Sequence, residues 1–373
     1  MPAPVARSFA RFVFAIVALT FLLDACGPPP PAADTLPARF SDQEFRDMMN
    51  GFSEAGGFFP SDNFLSNESG YQSVIPDLVV TLKSGGVYIG VGPEQNFTYI
   101  AAFRPRIAFI VDIRRQNMLE HLFYKALFET SDDRSDFLSR LFARRKIESA
   151  TAATPESLFR AYKSERPLSA FFEWNTHRIL EYLENQRGLK LSADDRSALR
   201  DIARAFFESG PELRYTFKGA SAESRRMPSY SDLMSESDDQ LHNWSFLATE
   251  DQFRTIQRMQ NDNLIVPLVG DFAGPKAIRS VARYVEEHGS LVRVFYTSNV
   301  EQYLFQSEEQ WKHFYKNVAT LPVDSTSIFL RYIPDALIYG KPRTTLTSTL
   351  DRTMSAYRGR GLQDYYDLIR LSR

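Results

Sequence analysis

Apolar residues along this chain gather into short unbroken runs, and amphipathic stretches of helical spacing separate the runs. Residues 86–92, GVYIGVG, form the first run and end in glycines. Residues 94–103, EQNFTYIAAF, read as a short helix, and 106–113, RIAFIVDI, as a second buried strand. Residues 116–129 carry Leu119, Leu122, Phe123, Ala126 and Leu127 at helical spacing. After a long gap the rhythm resumes: a helix over 249–262, a strand over 263–272, and a helix over 274–289 with Pro275 in its first turn. A strand over 290–299, a helix over 307–321 and a last strand over 325–333 follow. Apolar runs without period-two alternation are those of parallel strands covered on both faces. Strands alternating with helices predict an α/β fold with a doubly wound, mostly parallel sheet.

The gap reads differently. From about 134 to 210 every segment is helical, each with a capping residue or a closing glycine, which predicts a helical insertion between the second and third strands. Residues 220–239 are Ser-rich and polar and are expected to loop over the surface. Ahead of the first strand, Ser41 caps a short helix carrying Phe45 and Met48, with Gly51 closing it. The polar segment 61–72, SDNFLSNESGYQ, lies just before the glycine turn, where such loops often fold over a ligand site.

The first 35 residues have another character. Arg7 and Arg11 precede the apolar run 12–23, a charged and then apolar pattern typical of an export signal, shorter than the ~20 residues of a spanning helix. The run ends LDACG, with the only cysteine of the chain, Cys26, at its edge. This resembles the lipobox of bacterial lipoproteins, with Leu23 and Ala25 in their expected places and Asp24 a departure. The resemblance implies a signal peptide over 1–25, lipidation of Cys26 as the membrane attachment, and a stiff Pro-rich linker over 26–35. Gly27 is not the aspartate associated with inner-membrane retention, so the bacterial cell envelope, and its outer membrane, is the expected location. The folded domain then occupies 36–373.

Composition narrows the chemistry. A formal charge of −2 gives no electrostatic footprint for nucleic acid, so none is expected as a partner. One cysteine and five scattered histidines exclude a disulfide framework and make a metal site unexpected. His121, in mid-helix, is expected to be packed or solvated rather than catalytic.

In an open parallel sheet, ligands bind outside the carboxyl ends of the strands. The polar residues there are Gly90, Gly92 and Glu94 after the first strand, Asp112 after the second, Asp271 after the third, and Tyr296, Asn299 and Glu301 at the fourth. Glycines allow a tight turn and close ligand approach, or simply close strand–helix packing. Asp112 stands about twenty residues past the turn, where an acid meets ribose hydroxyls in dinucleotide folds, or pairs with Arg114 or Arg115. Asp271 reads a polar ligand edge or caps the helix at Pro275; Asn299 positions a substrate or caps the turn at Glu301.

The glycine turn, the acid ending the second strand, VGDF at 269–272 and FYTSNVE at 295–301 resemble the core of class I S-adenosylmethionine-dependent methyltransferases, and of an uncharacterised bacterial family with such a core. The resemblance implies adenosylmethionine on the Gly90–Gly92 turn with Glu94, its ribose on Asp112 and its adenine near Asp271. Tyr296, Asn299 and Glu301 would then position a methyl acceptor. Tyr88 stands where that motif usually has an acid. Two functions follow: an envelope lipoprotein binding a small polar or nucleoside-type ligand, or an active methyltransferase.

Overall fold

The computed structural model describes residues 1, 34–59, 64–148, 153–216, 227–334 and 336–373. The chain divides into two units, Met1–Ala33 and Asp34–Arg373, and the second holds everything below. The export signal, Cys26 and most of the linker lie outside the described residues.

The predicted strands form and pair in the order that apolar runs covered on both faces allow. β1 (Val87–Gly90), β2 (Ile107–Asp112), β3 (Ile265–Val269), β4 (Val292–Ser298), β5 (Ile328–Tyr332) and β6 (Thr345–Thr349) make one sheet in the order β3-β2-β1-β4-β5-β6. The first five are mutually parallel and β6 runs antiparallel to β5. Every residue of β1, β2 and β3 is buried, which is why these strands carry no polar face. The chain adds strands to one side of β1 and then, from β4, to the other, so the topological switch point lies between the paired strands β1 and β4, at whose carboxyl ends such sheets form a crevice.

β6 is the strand that the hydrophobic pattern does not announce. Its sequence, TLTST, is polar although Thr345, Leu346 and Ser348 are buried; Ser348 accepts from Arg331 at 2.5 Å and bonds to Thr353 at 2.8 Å, so its hydroxyl is satisfied inside the fold. Thr349 ends it and caps the next helix, Leu350–Arg358.

The insertion is helical as expected, with helices Arg134–Phe142, Pro155–Ser164, Ser169–Glu181 and Ala193–Ser209. It packs on the helix Arg115–Thr130, whose residues from Asn117 to Phe128 are all buried. Sheet on one side and insertion on the other explain a helix without a solvent face. Rings join the layers: Phe128 meets Phe137 at 4.6 Å with the rings tilted, and Phe123 stacks on Phe206 at 6.1 Å. Arg115 grips the buried carboxylate of Asp195 through two bonds of 2.7 and 2.9 Å, pinning the insertion's longest helix to the sheet layer.

Three boundaries differ from expectation. Gly51 lies inside the helix Asp42–Phe52, which Ser53 terminates; its start has the expected Ser41 cap in a reciprocal capping box with Glu44. Pro275 precedes its helix, which begins at Ala277, because Glu54 reaches across to accept from the amides of Lys276 (2.8 Å) and Ala277 (2.5 Å). Within the Ser-rich stretch, Tyr230–Ser235 is a helix whose Tyr230, Leu233 and Met234 are buried, so this part is packed rather than looped. Among the described residues, no helix is long and apolar enough to cross a membrane.

Candidate functional site at the carboxyl edge of the sheet

A cleft of about 560 Å³ opens over the carboxyl ends of β1, β2, β3 and β4. Its floor begins with the glycine turn. Gly92 has φ 78°, a left-handed conformation that favours glycine, and it lines the cleft with open space before its Cα. Gly90 serves packing instead: a Cβ there would collide with the side chain of Asn96. Asn96 organises the turn by donating to the carbonyls of Val91 (2.9 Å), Gly92 (3.0 Å) and Pro93 (2.8 Å), while Tyr88 donates to its Oδ1 at 2.9 Å. Tyr88 thus has a structural task at the position of the expected motif acid.

Glu94 is turned inward. It is wholly buried behind the turn, where its carboxylate accepts from the Ser66 amide at 3.2 and 3.3 Å, and burial pushes its pKa up to about 8. It does not reach the cleft. His121 supports the same turn, with Nε2 2.9 Å from the Gly92 carbonyl and its ring edge-on to Phe97. Burial lowers its pKa to about 4, so it stays neutral, packed as expected.

Asp112 lines the cleft, and the pairing with Arg114 is realised. Oδ1 accepts from the Arg114 amide (2.8 Å) and Nε (3.0 Å), and Oδ2 from a terminal guanidinium nitrogen (2.8 Å). Asp271 also lines the cleft; it accepts from the Ala273 amide at 2.9 Å within its own turn. The role of helix cap considered for it belongs to Glu54. Tyr296 and Asn299 face the cleft from β4, and Asn299 makes no capping bond to the helix Val300–Leu304.

Glu301 does not join them. It turns beneath the sheet edge, accepting from Arg331 Nε (2.5 Å), Tyr315 (2.6 Å) and Thr297 (2.9 Å), all of them buried. A residue three places beyond the strand end sits on a helix, and the helix carries this side chain away from the opening.

The residue that sequence reasoning missed is Glu68. Its carboxyl lies on the cleft floor, accepting from Ser298 Oγ and from Gln95 Nε2 (2.9 Å), with Tyr296 alongside. Burial raises its pKa to about 7. Ser298 is held at φ 51°, unusual outside glycine, where the β4–β5 register shifts. Ser66 ties the arrangement together by donating from Oγ to Gln95 Oε1. The available signal was the polar segment before the glycine turn, whose residues Leu65, Ser66, Asn67 and Glu68 line the site.

Aromatic rings form the walls. Phe58, Phe59, Tyr215, Tyr296 and Tyr303 line the cleft, with Phe59 edge-on to Tyr303 at 5.3 Å. Among the described residues the lining carries three carboxyl groups, Glu68, Asp112 and Asp271, and one guanidinium, that of Arg114, already held by Asp112. Among the described residues no group of three or more His, Cys, Asp or Glu is placed to hold a metal ion.

Residues 64–357 match the family described as a domain of unknown function (DUF7790). The chain belongs to that family. The match takes in all six strands, the insertion and Glu68, and thus most of the cleft. No curated protein matches the chain.

Proposed function

We propose that this DUF7790 protein is an envelope lipoprotein, anchored through Cys26, whose α/β domain binds a small polar, nucleoside-type ligand in the cleft. The observation that carries the reading is the convergence of the Gly92 turn, Asp112, Asp271 and Asn299 around one 560 Å³ opening at the switch point of a doubly wound sheet. Acids there suit ribose hydroxyls and base edges, and the rings suit a planar base.

A second reading, an active adenosylmethionine-dependent methyltransferase, is favoured by the charge of the lining. A pyrophosphate would need free cationic groups or an open helix N-terminus. Here the guanidinium is held by Asp112, and Glu94 lies buried at the start of the helix Gln95–Phe103. A sulfonium nucleoside carries the opposite charge. When bound, it would itself supply the reactive methyl group; the chain's residues would hold and orient it.

Calorimetric titration of the purified protein with adenosylmethionine, adenosylhomocysteine and ATP tests the site. The expected result is saturable binding of an adenosyl ligand in preference to ATP, weakened roughly tenfold by Asn299→Ala. Silence from every adenosyl compound sinks the nucleoside reading. For the anchor, metabolic labelling with radioactive palmitate should mark the protein and be lost in Cys26→Ala; persistent labelling in the variant removes Cys26 from that role.

A further inference from the structure

Of the two buried carboxyls that line the cleft, Glu68 and Asp112, Glu68 is the one whose described partners are all neutral. Ser298 and Gln95 donate to its two oxygens, one to each. The titratable groups that face it are Tyr88 from β1, Tyr99 from the following helix, Tyr296 from β4 and Glu94 from the turn, and none of these is a cation. Across the opening stand Asp112 with its own Arg114, and Asp271. A buried carboxylate without a positive partner is costly, and Glu68, unlike the equally buried Glu94, lines the cleft, where an occupant can supply the charge. Backbone strain points to the same spot, because the left-handed Ser298 is the residue whose hydroxyl meets Glu68.

The surroundings indicate the form of the charge. Aromatic faces beside an acid are the recognition elements of permanently cationic, methyl-bearing groups, whose diffuse charge the ring quadrupoles attract and which need no hydrogen-bond acceptor. Phe58, Phe59, Tyr215, Tyr296 and Tyr303 supply the rings. We infer that Glu68 is the specificity-determining residue of the cleft, the counter-ion for a sulfonium or quaternary ammonium centre on the occupant. This rests on the reading of the cleft as a small-molecule site. Its raised pKa, near 7, adds a signature: at mildly acidic pH the free carboxyl is largely protonated, and arrival of the cation expels that proton to the buffer.

The test is isothermal calorimetry at about pH 6 and about pH 8, in two buffers of different ionisation enthalpy, which reads proton release directly. The probes are adenosylmethionine, adenosylhomocysteine, which lacks the sulfonium charge, and choline. The expected result is release of close to one proton per bound cation at the lower pH and almost none at the higher. Adenosylmethionine should bind roughly tenfold more tightly than adenosylhomocysteine at pH 8. Glu68→Gln should abolish the proton release and bring those two affinities together. The comparison of probes with and without the sulfonium charge on the unaltered protein stands whether or not the variant folds. Proton release with choline but not with adenosylmethionine identifies a quaternary ammonium occupant, keeping this inference while the nucleoside reading falls. Equal binding of both adenosyl compounds without proton release overturns the inference and leaves the nucleoside reading intact. No proton release with any probe overturns it as well.

Discussion

Two buried carboxyl groups sit close to the carboxyl end of β4, and adjacent residues of that strand serve them. Thr297 donates to Glu301, and Ser298 donates to Glu68. Glu301 has a guanidinium of its own, that of Arg331, 1% exposed and bonded at 2.5 Å, with Tyr315 completing the shell. Glu68 has neutral donors and opens onto the cleft. The first group is closed within the fold and its charge is balanced there. The second is organised with equal care and left electrically incomplete. Burial alone therefore does not separate these two acids; a built-in counter-charge on Glu301, and its lack together with access to the cleft on Glu68, does.

The largest break in this contrast comes from removing the counter-charge of the closed site. Arg331→Ala leaves Glu301 buried and unpaired, and should cost about 3–5 kcal/mol in urea unfolding at neutral pH. A loss below about 1 kcal/mol would mean that Glu301 finds water or another partner easily.

A smaller effect of opposite sign is expected behind the turn. Glu94 has a folded pKa raised by burial to about 8, so its contribution to stability is full below its ordinary value near 4.5 and is lost as pH rises through about 8. Glu94→Gln does not titrate and keeps a carbonyl for the Ser66 amide. The variant should match the parent near pH 4.5 and exceed its stability by on the order of 2 kcal/mol near pH 9. Parallel stability curves for the two proteins across that range would show that Glu94 is not the buried acid described.

The strands β1 to β5 were legible because burial on both faces writes itself as unbroken apolar runs, and the insertion because Asp133, Thr154 and Ser192 cap three of its helices. β6 was not, since its buried positions Thr345 and Ser348 are polar, and the partners that satisfy Ser348, Arg331 and Thr353, leave no apolar run to read. At the site, Gly92, Asp112, Asp271, Tyr296 and Asn299 were legible from their places at strand ends. Gly90, Glu94 and Glu301 shared the same address and face elsewhere, because position along a strand gives the end of the sheet but not the direction of a side chain beyond it. Glu68 could not be found in this way. Its chemistry depends on Ser298, 230 residues away in sequence, and no local pattern reports a contact of that separation. Glu54 at the start of the helix Ala277–Glu287 is a second case, a cap borrowed from 222 residues upstream.

The helical insertion ends, after the helix Ala193–Ser209, at a short segment whose Tyr215 enters the cleft wall. The floor of the cleft comes from strand ends and their turns, which the sheet fixes in place, whereas this part of the wall arrives on a layer clipped to the sheet from outside. Selection can therefore act on the two separately. On the ligand-binding reading proposed above, a lineage could resize or reshape the insertion, and so trade one occupant for another, while the carboxyl and glycine positions beneath stay as they are. On the same reading, the division of labour would allow a change of ligand without redesign of the core.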